Sequence, residues 1–109
     1  MPINSTVIRG IATRVAGTVA GNAVTKIFAN PTLSRAGIQI HNASASLDLW
    51  VRAVNEGASA PSITQADKDF LIPPNATLSL AFDRTIDVYV VNSSGAATTS
   101  AYTAAEVTA

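Results

Sequence analysis

At 109 residues and 11.2 kDa the chain is the size of one small domain, and its 48% hydrophobic content rests heavily on alanine, with three Phe, two Tyr, one Trp and one Met. Seven Lys and Arg are balanced by seven Asp and Glu, and only 13% of residues are charged, which leaves no basic footprint for nucleic acid and no polybasic patch for a membrane surface. Without cysteine there are no disulfides, thiolate metal sites or cysteine nucleophiles.

The opening Met1-Pro2-Ile3-Asn4-Ser5-Thr6 has no cationic region leading into a long apolar run, so it does not read as a secretory signal, and no stretch approaches the length of a membrane span. In residues 1–34, Val7, Ile8, Ile11 and Val15 alternate loosely while Gly10, Gly17 and Gly21 interrupt them. Two readings stay open for this stretch. It is either a β-hairpin, with Val7 to Val15 and Val24 to Ala29 as its arms around a Gly-rich turn, or an extended arm that orders on a partner.

From Arg35 the apolar period is two. Ile38 and Ile40 alternate with Gln39 and His41, and Asn42 to Ser46 reads as a turn. Leu47, Leu49, Val51 and Ala53 alternate with Asp48, Trp50, Arg52 and Val54, so both faces of this strand carry apolar groups. A loop rich in turn formers follows at 55–61, then a brief strand at Ser62 to Thr64 or a helical turn over Ser62 to Lys68. Phe70-Leu71-Ile72 runs into Pro73-Pro74-Asn75, which breaks the ladder because proline has no amide hydrogen to donate. Thr77 to Phe82, Ile86 to Val91 and Thr98 to Val107 complete the set, with Asn92-Ser93-Ser94-Gly95 as a hairpin signal. Short strands at this spacing predict an all-β chain: a single-domain β-sandwich, jelly-roll-like, or a small closed barrel, with residues 35–109 as its core. The large apolar side chains are few for such a core, which points to stabilisation by neighbouring subunits.

No set of residues reads as catalytic, metal-binding or cofactor-binding. His41, the only histidine, has no nucleophile motif around it and reads as a surface or interface side chain. Asp67 and Asp69 flank Lys68 without the further oxygen ligands a calcium loop requires. The acids as a group read as lying beside turns or on outward faces, which argues against a carboxylate pair for glycoside hydrolysis. Four Asn-x-Ser/Thr triplets begin at Asn4, Asn42, Asn75 and Asn92 and carry no weight as glycan sites in a chain this rich in Ser, Thr and Asn. Trp50 has three readings: an interface anchor, a residue packed under a neighbouring loop, or a platform for a sugar ring, with Tyr89 or Tyr102 beside it in the last case.

The segment from Gly37 to Ala97 resembles small β-sandwich proteins encoded among tailed-phage virion genes. The resemblance is carried by Gly37-Ile38-Gln39-Ile40-His41-Asn42-Ala43-Ser44, by Leu49-Trp50-Val51-Arg52-Ala53, by Phe70 to Leu80 around its proline turn, and by Ile86 to Gly95. This chain has Pro-Pro-Asn where a Pro-Gly turn is usual. The group includes capsid cement or decoration proteins, which sit as oligomers on the head lattice. The resemblance therefore implies a bacteriophage structural protein made in the host cytoplasm and placed on the virion exterior. Its partners would be the major capsid protein and further copies of itself, as a trimer or dimer, and it would carry no enzymatic role. The interface residues expected on this reading are Val7, Ile8, Ile11 and Val15 through strand addition, and Trp50 with Arg52 on an outer face. The alternative is a carbohydrate-binding β-module on a head, tail or fibre, with Trp50, Tyr89 and Tyr102 as its platform.

Overall fold

The computed structural model describes residues 10–108. Eight strands form two antiparallel four-stranded sheets packed face to face, as the period-two pattern predicts. They are β1 (Gly10–Ala20), β2 (Thr25–Lys26), β3 (Arg35–Asn42), β4 (Leu49–Asn55), β5 (Phe70–Ile72), β6 (Thr77–Leu80), β7 (Ile86–Asn92) and β8 (Thr99–Thr108). Sheet A has the order β1-β8-β3-β6 and sheet B the order β2-β7-β4-β5. Only β4 and β5 are both consecutive and paired; every other connection crosses from one sheet to the other. No helix forms among the described residues, and 62–64 is neither a strand nor a helical turn.

The N-terminal stretch enters this sandwich differently from a local hairpin. β1 pairs with β8 along its whole length, while β2 pairs with β7 in the opposite sheet. Gly17, placed by the sequence pattern in a turn, lies inside β1 opposite Tyr102, whose ring covers the position a side chain would fill. The aromatic side chain thus supplies the packing that the glycine lacks. Gly21 ends the strand for a steric reason. A Cβ there would sit 2.5 Å from the Gly95 amide nitrogen and 2.6 Å from Asn92 Oδ1, and closer still to Ser94 Oγ.

The core lies between the sheets. Val19, Ile38, Ile40, Tyr102 and Ala104 of sheet A meet Leu49, Val51, Ile72, Val88 and Val90 of sheet B, with Ile27 and Phe28 closing one end. Each large aliphatic side chain buried here contributes about 1.5–3 kcal/mol of hydrophobic stabilisation. At the other edge the chain changes sheet through Pro73-Pro74-Asn75-Ala76. Pro73 O accepts from Ala76 N at 3.1 Å and Asn75 takes φ 61°. That is the position where a proline turn favours glycine, and asparagine is the residue that best replaces it.

Two polar devices hold the ends. Asn42 and Asn92 stand at the last positions of β3 and β7, are fully buried, and begin two of the Asn-x-Ser triplets. Asn42 Nδ2 donates to Leu47 O (2.8 Å) and Ile72 O (2.9 Å), and its Oδ1 accepts from Ser44 N (3.0 Å). Asn92 Nδ2 donates to Val19 O and Thr98 O (both 2.9 Å), and its Oδ1 accepts from Ser94 N (3.0 Å). In both, an Asx-type bond two residues on turns the chain while the amide ties together backbone from separate strands. At the opposite end Arg35 and Glu106 form a buried ion pair, Nη1 to Oε2 3.2 Å. Glu106 also accepts from Thr32 N (3.1 Å) and Thr32 Oγ1 (2.9 Å), and Arg35 donates to the carbonyls of Phe82, Asp83 and Ile86. The expectation that all acids lie at turns or on outward faces is therefore corrected. Glu106 shares the parity of Tyr102 and Ala104 on β8 and points inward.

Candidate interaction surface

The two outer faces of the sandwich differ in what covers them. On sheet B, strand parity sends Leu49 and Val51 inward and Trp50, Arg52 and Val54 outward, opposite Val91, Tyr89 and Asp87 of β7. The long β4–β5 loop then folds back over this face. Ile63, buried at 8% exposure, packs with Tyr89, Val91, Val24, Trp50 and Val54 as a second small apolar layer. The loop is tied down by Arg52 Nη1 donating to Ser62 O (2.8 Å), by Ala53 N donating to Asp69 Oδ2 (2.9 Å) and by Asp69 N donating to Val51 O (2.9 Å). Lys68 Nζ stands 5.8 Å from the Trp50 ring centroid. Trp50 is thus half-buried beneath its own loop, with exposed Leu71 opposite it on β5.

Asp87 is the second acid away from a turn. Its Oδ2 accepts from Gly57 N (3.1 Å) and pairs with Lys26 Nζ (3.4 Å), while buried Oδ1 has no hydrogen-bond partner among the described residues. Asp67 and Asp69 belong to the covering loop, where Asp69 is engaged by the Ala53 amide. Among the described residues no group of three His, Cys, Asp or Glu could hold a metal ion.

No loop covers the outer face of sheet A among the described residues. Arg14, Ala16 and Thr18 of β1, Ala101 and Thr103 of β8, and Thr77 and Ser79 of β6 are all exposed, with Gln39 and His41 of β3 half-buried between them. Alanine and threonine at the centre, flanked by the longer Arg14 on one side and Gln39 and His41 on the other, leave a shallow depression of about 510 Å³. His41 Nδ1 lies 2.9 Å from Thr77 Oγ1, its one hydrogen-bond partner among the described residues. The arrangement is a broad, weakly charged surface of small side chains and hydroxyls.

Of the residues expected at an interface, Val7 and Ile8 lie outside the described residues. Ile11 is 45% exposed near the start of β1. Val15 has its side chain turned into the sandwich against the core, so β1 can offer a partner its backbone there and not the valine itself. Trp50 and Arg52 share the covered face of sheet B. The three aromatic residues of the expected platform are not brought together. Trp50 and Tyr89 lie on the outer face of sheet B, whereas Tyr102 is in the core over Gly17, because β8 parity and the missing side chain opposite both draw the ring inward.

Burial raises the Tyr102 phenol above its usual pKa of 10.0. A raised value in the folded state means that the protein binds this proton more tightly than the unfolded chain does. Its contribution is therefore complete below pH 10.0 and is lost as pH rises through the folded value. Urea midpoints should fall through the alkaline range in the parent, and Tyr102→Phe should flatten that fall; an unchanged slope would show that Tyr102 does not control it.

No protein-family model matches this chain, and no curated protein or solved structure matches it.

Proposed function

We propose that the chain is a structural virion protein that binds the surface of a phage capsid and reinforces contacts between major capsid subunits. The observation that carries this reading is the asymmetry of the two faces: sheet B is covered by the chain's own loop, and sheet A presents small, uncharged side chains over its centre. A face whose centre carries only small, uncharged side chains, with Arg14 at its margin, sets down on another protein at low cost in side-chain entropy and desolvation. Zero net charge adds no long-range repulsion between copies crowded on a lattice. Binding to the lattice stabilises the folded form by mass action, and many copies side by side convert weak single contacts into strong attachment. The carbohydrate-binding alternative is weaker, because Lys68 and Ile63 already pack on Trp50 and Tyr102 is inside the core.

The test is made on particles produced from the genome that encodes the chain. Purified heads should carry it in regular copy number on their exterior, visible as density over capsid subunit boundaries. Thr103→Glu, at the exposed centre of the sheet A face, should weaken rebinding to stripped heads by about tenfold or more, the size expected when a charge is desolvated without a partner. Heads that lack the chain would end the proposal, and full binding by the variant would remove the face from it.

A further inference from the structure

The four sheet edges are not equally guarded. β2 is two residues long, carries Lys26 and is soon followed by Asn30-Pro31. β5 is three residues long and closed by Pro73-Pro74, and β6 is four residues long, between that proline pair and Asp83-Arg84. Short strands, prolines and nearby charges are the usual means of keeping an edge from pairing with another chain. β1 has almost none of them. It runs for eleven residues, contains no proline, and its only charge is Arg14 on the outer face. Its one irregularity, a register shift between Ile11 and Thr13, leaves Thr13–Ala20 regularly paired to β8. Alternate backbone amides and carbonyls of that stretch point away from β8. No other strand pairs along that side among the described residues.

We propose that this edge pairs antiparallel with the β1 edge of a second copy about a two-fold axis at Ala16, joining two sheets A into one eight-stranded sheet. The occupant is a second copy because the sequence of the edge is self-complementary in this register. Thr13–Val19 is centred on Ala16, so Arg14 faces Thr18 of the other copy, Val15 faces Gly17, Thr13 faces Val19, and Ala16 faces itself. No like charges meet. A register centred on Arg14 would place two guanidiniums directly opposite each other, which is unfavourable. Zero net charge removes any global repulsion between copies. A two-fold axis normal to the sheet also keeps the outer faces of both copies' sheet A on the same side of the joined sheet. The inference rests on the reading of the chain as an assembly subunit and goes further in naming the edge and its register.

The chain contains no cysteine, so a single introduced cysteine can form a disulfide only with another copy. Residues directly opposite across the axis have Cα atoms about 4.5–5.5 Å apart, within disulfide range, whereas Thr103, one strand further out, would be about 14 Å from its mate. Light scattering on the parent should give twice 11.2 kDa. Under a mild oxidant Ala16→Cys should cross-link at least about tenfold faster than Thr103→Cys, in keeping with those two separations. Ala16 is exposed, so Ala16→Glu should keep the strand circular dichroism while reducing the mass to that of one chain, because it sets two carboxylates face to face. A parent of single-chain mass at micromolar concentration, equal cross-linking of the two cysteine variants, or a dimeric Ala16→Glu would each overturn the pairing. A single-chain parent that still binds heads would remove the pairing alone. A cross-linking dimer that ignores heads would uphold the pairing and remove the virion role.

Discussion

Replacing Arg35 by methionine should lower the unfolding free energy by about 3–5 kcal/mol, the range for removing one partner of a buried ion pair. The substitution keeps most of the volume but strands the Glu106 carboxylate, which is fully buried. It also frees the carbonyls of Phe82, Asp83 and Ile86, which Arg35 now gathers from the β6–β7 turn and the start of β7, and it removes the guanidinium from the Phe28 ring, whose centroid lies 5.7 Å away. Glu106→Gln should cost less, because its side-chain oxygen still accepts from Thr32 and Arg35 keeps its carbonyl acceptors. The double variant should therefore be more stable than Arg35→Met alone, since the unpaired charge is gone. For a domain of this size the single Arg35→Met loss corresponds to a fall in Tm of more than about 10 °C. Equal stability of Arg35→Met and the double variant would show that the charge is not what the arginine compensates.

The second large effect is expected at Asn92. Asn92→Asp preserves shape but turns an oxygen toward Val19 O and Thr98 O, where an amide now donates, and buries a charge without a partner. Asn92→Ala removes this donor from the buried Val19 carbonyl and the part-buried Thr98 carbonyl, and removes the acceptor of the part-buried Ser94 amide. At about 1–3 kcal/mol for each buried group left unsatisfied, either change should cost about 3 kcal/mol or more. Ser94→Ala should cost less, since Asn92 keeps its bonds to the backbone. Denaturant titrations followed by the single tryptophan will rank the three, and a mild Asn92→Ala would mean that the amide is dispensable for joining β1, β7 and β8.

The alternation from Arg35 onward made the sandwich legible, because each of β3, β4, β6 and β7 sends one apolar set inward and the sheet period is two. β8 was legible by the same rule, although its small alanines hid that Glu106 follows the inward parity of Tyr102 and Ala104. The N-terminal stretch stays open between a hairpin and an arm at the level of sequence because its glycines look like turn residues, yet Gly17 is balanced by a ring arriving from β8 and Gly21 by the β7–β8 turn. Contacts of that kind join positions far apart in the chain and leave no local pattern. The Arg35–Glu106 pair, 71 residues apart, is hidden for the same reason. Asn42 and Asn92 did carry a signal, an Asn-x-Ser at the end of an alternating strand, but the turn propensity of asparagine concealed that these two side chains are buried. On the surface, Trp50 could be placed on an outer face from parity alone, while the loop that covers it could not, since nothing in residues 56–69 states which face it returns to.

The strand order also bears on how the molecule comes into being. Among the described residues β1 pairs with β8 alone, and β3 pairs with β6 and β8, so each of these N-terminal strands waits for segments synthesised much later. A ribosome releasing this chain therefore holds β1 without its β8 partner until the last strand is clear of the exit tunnel, whereas β3 can meet β6 earlier, and sheet A closes only when β8 enters between β1 and β3. With Gly10 set opposite Thr108, the two ends of the described fold lie side by side. New termini opened in an exposed loop, with a short linker across that gap, would leave every strand pairing intact and change only the order in which the strands are made.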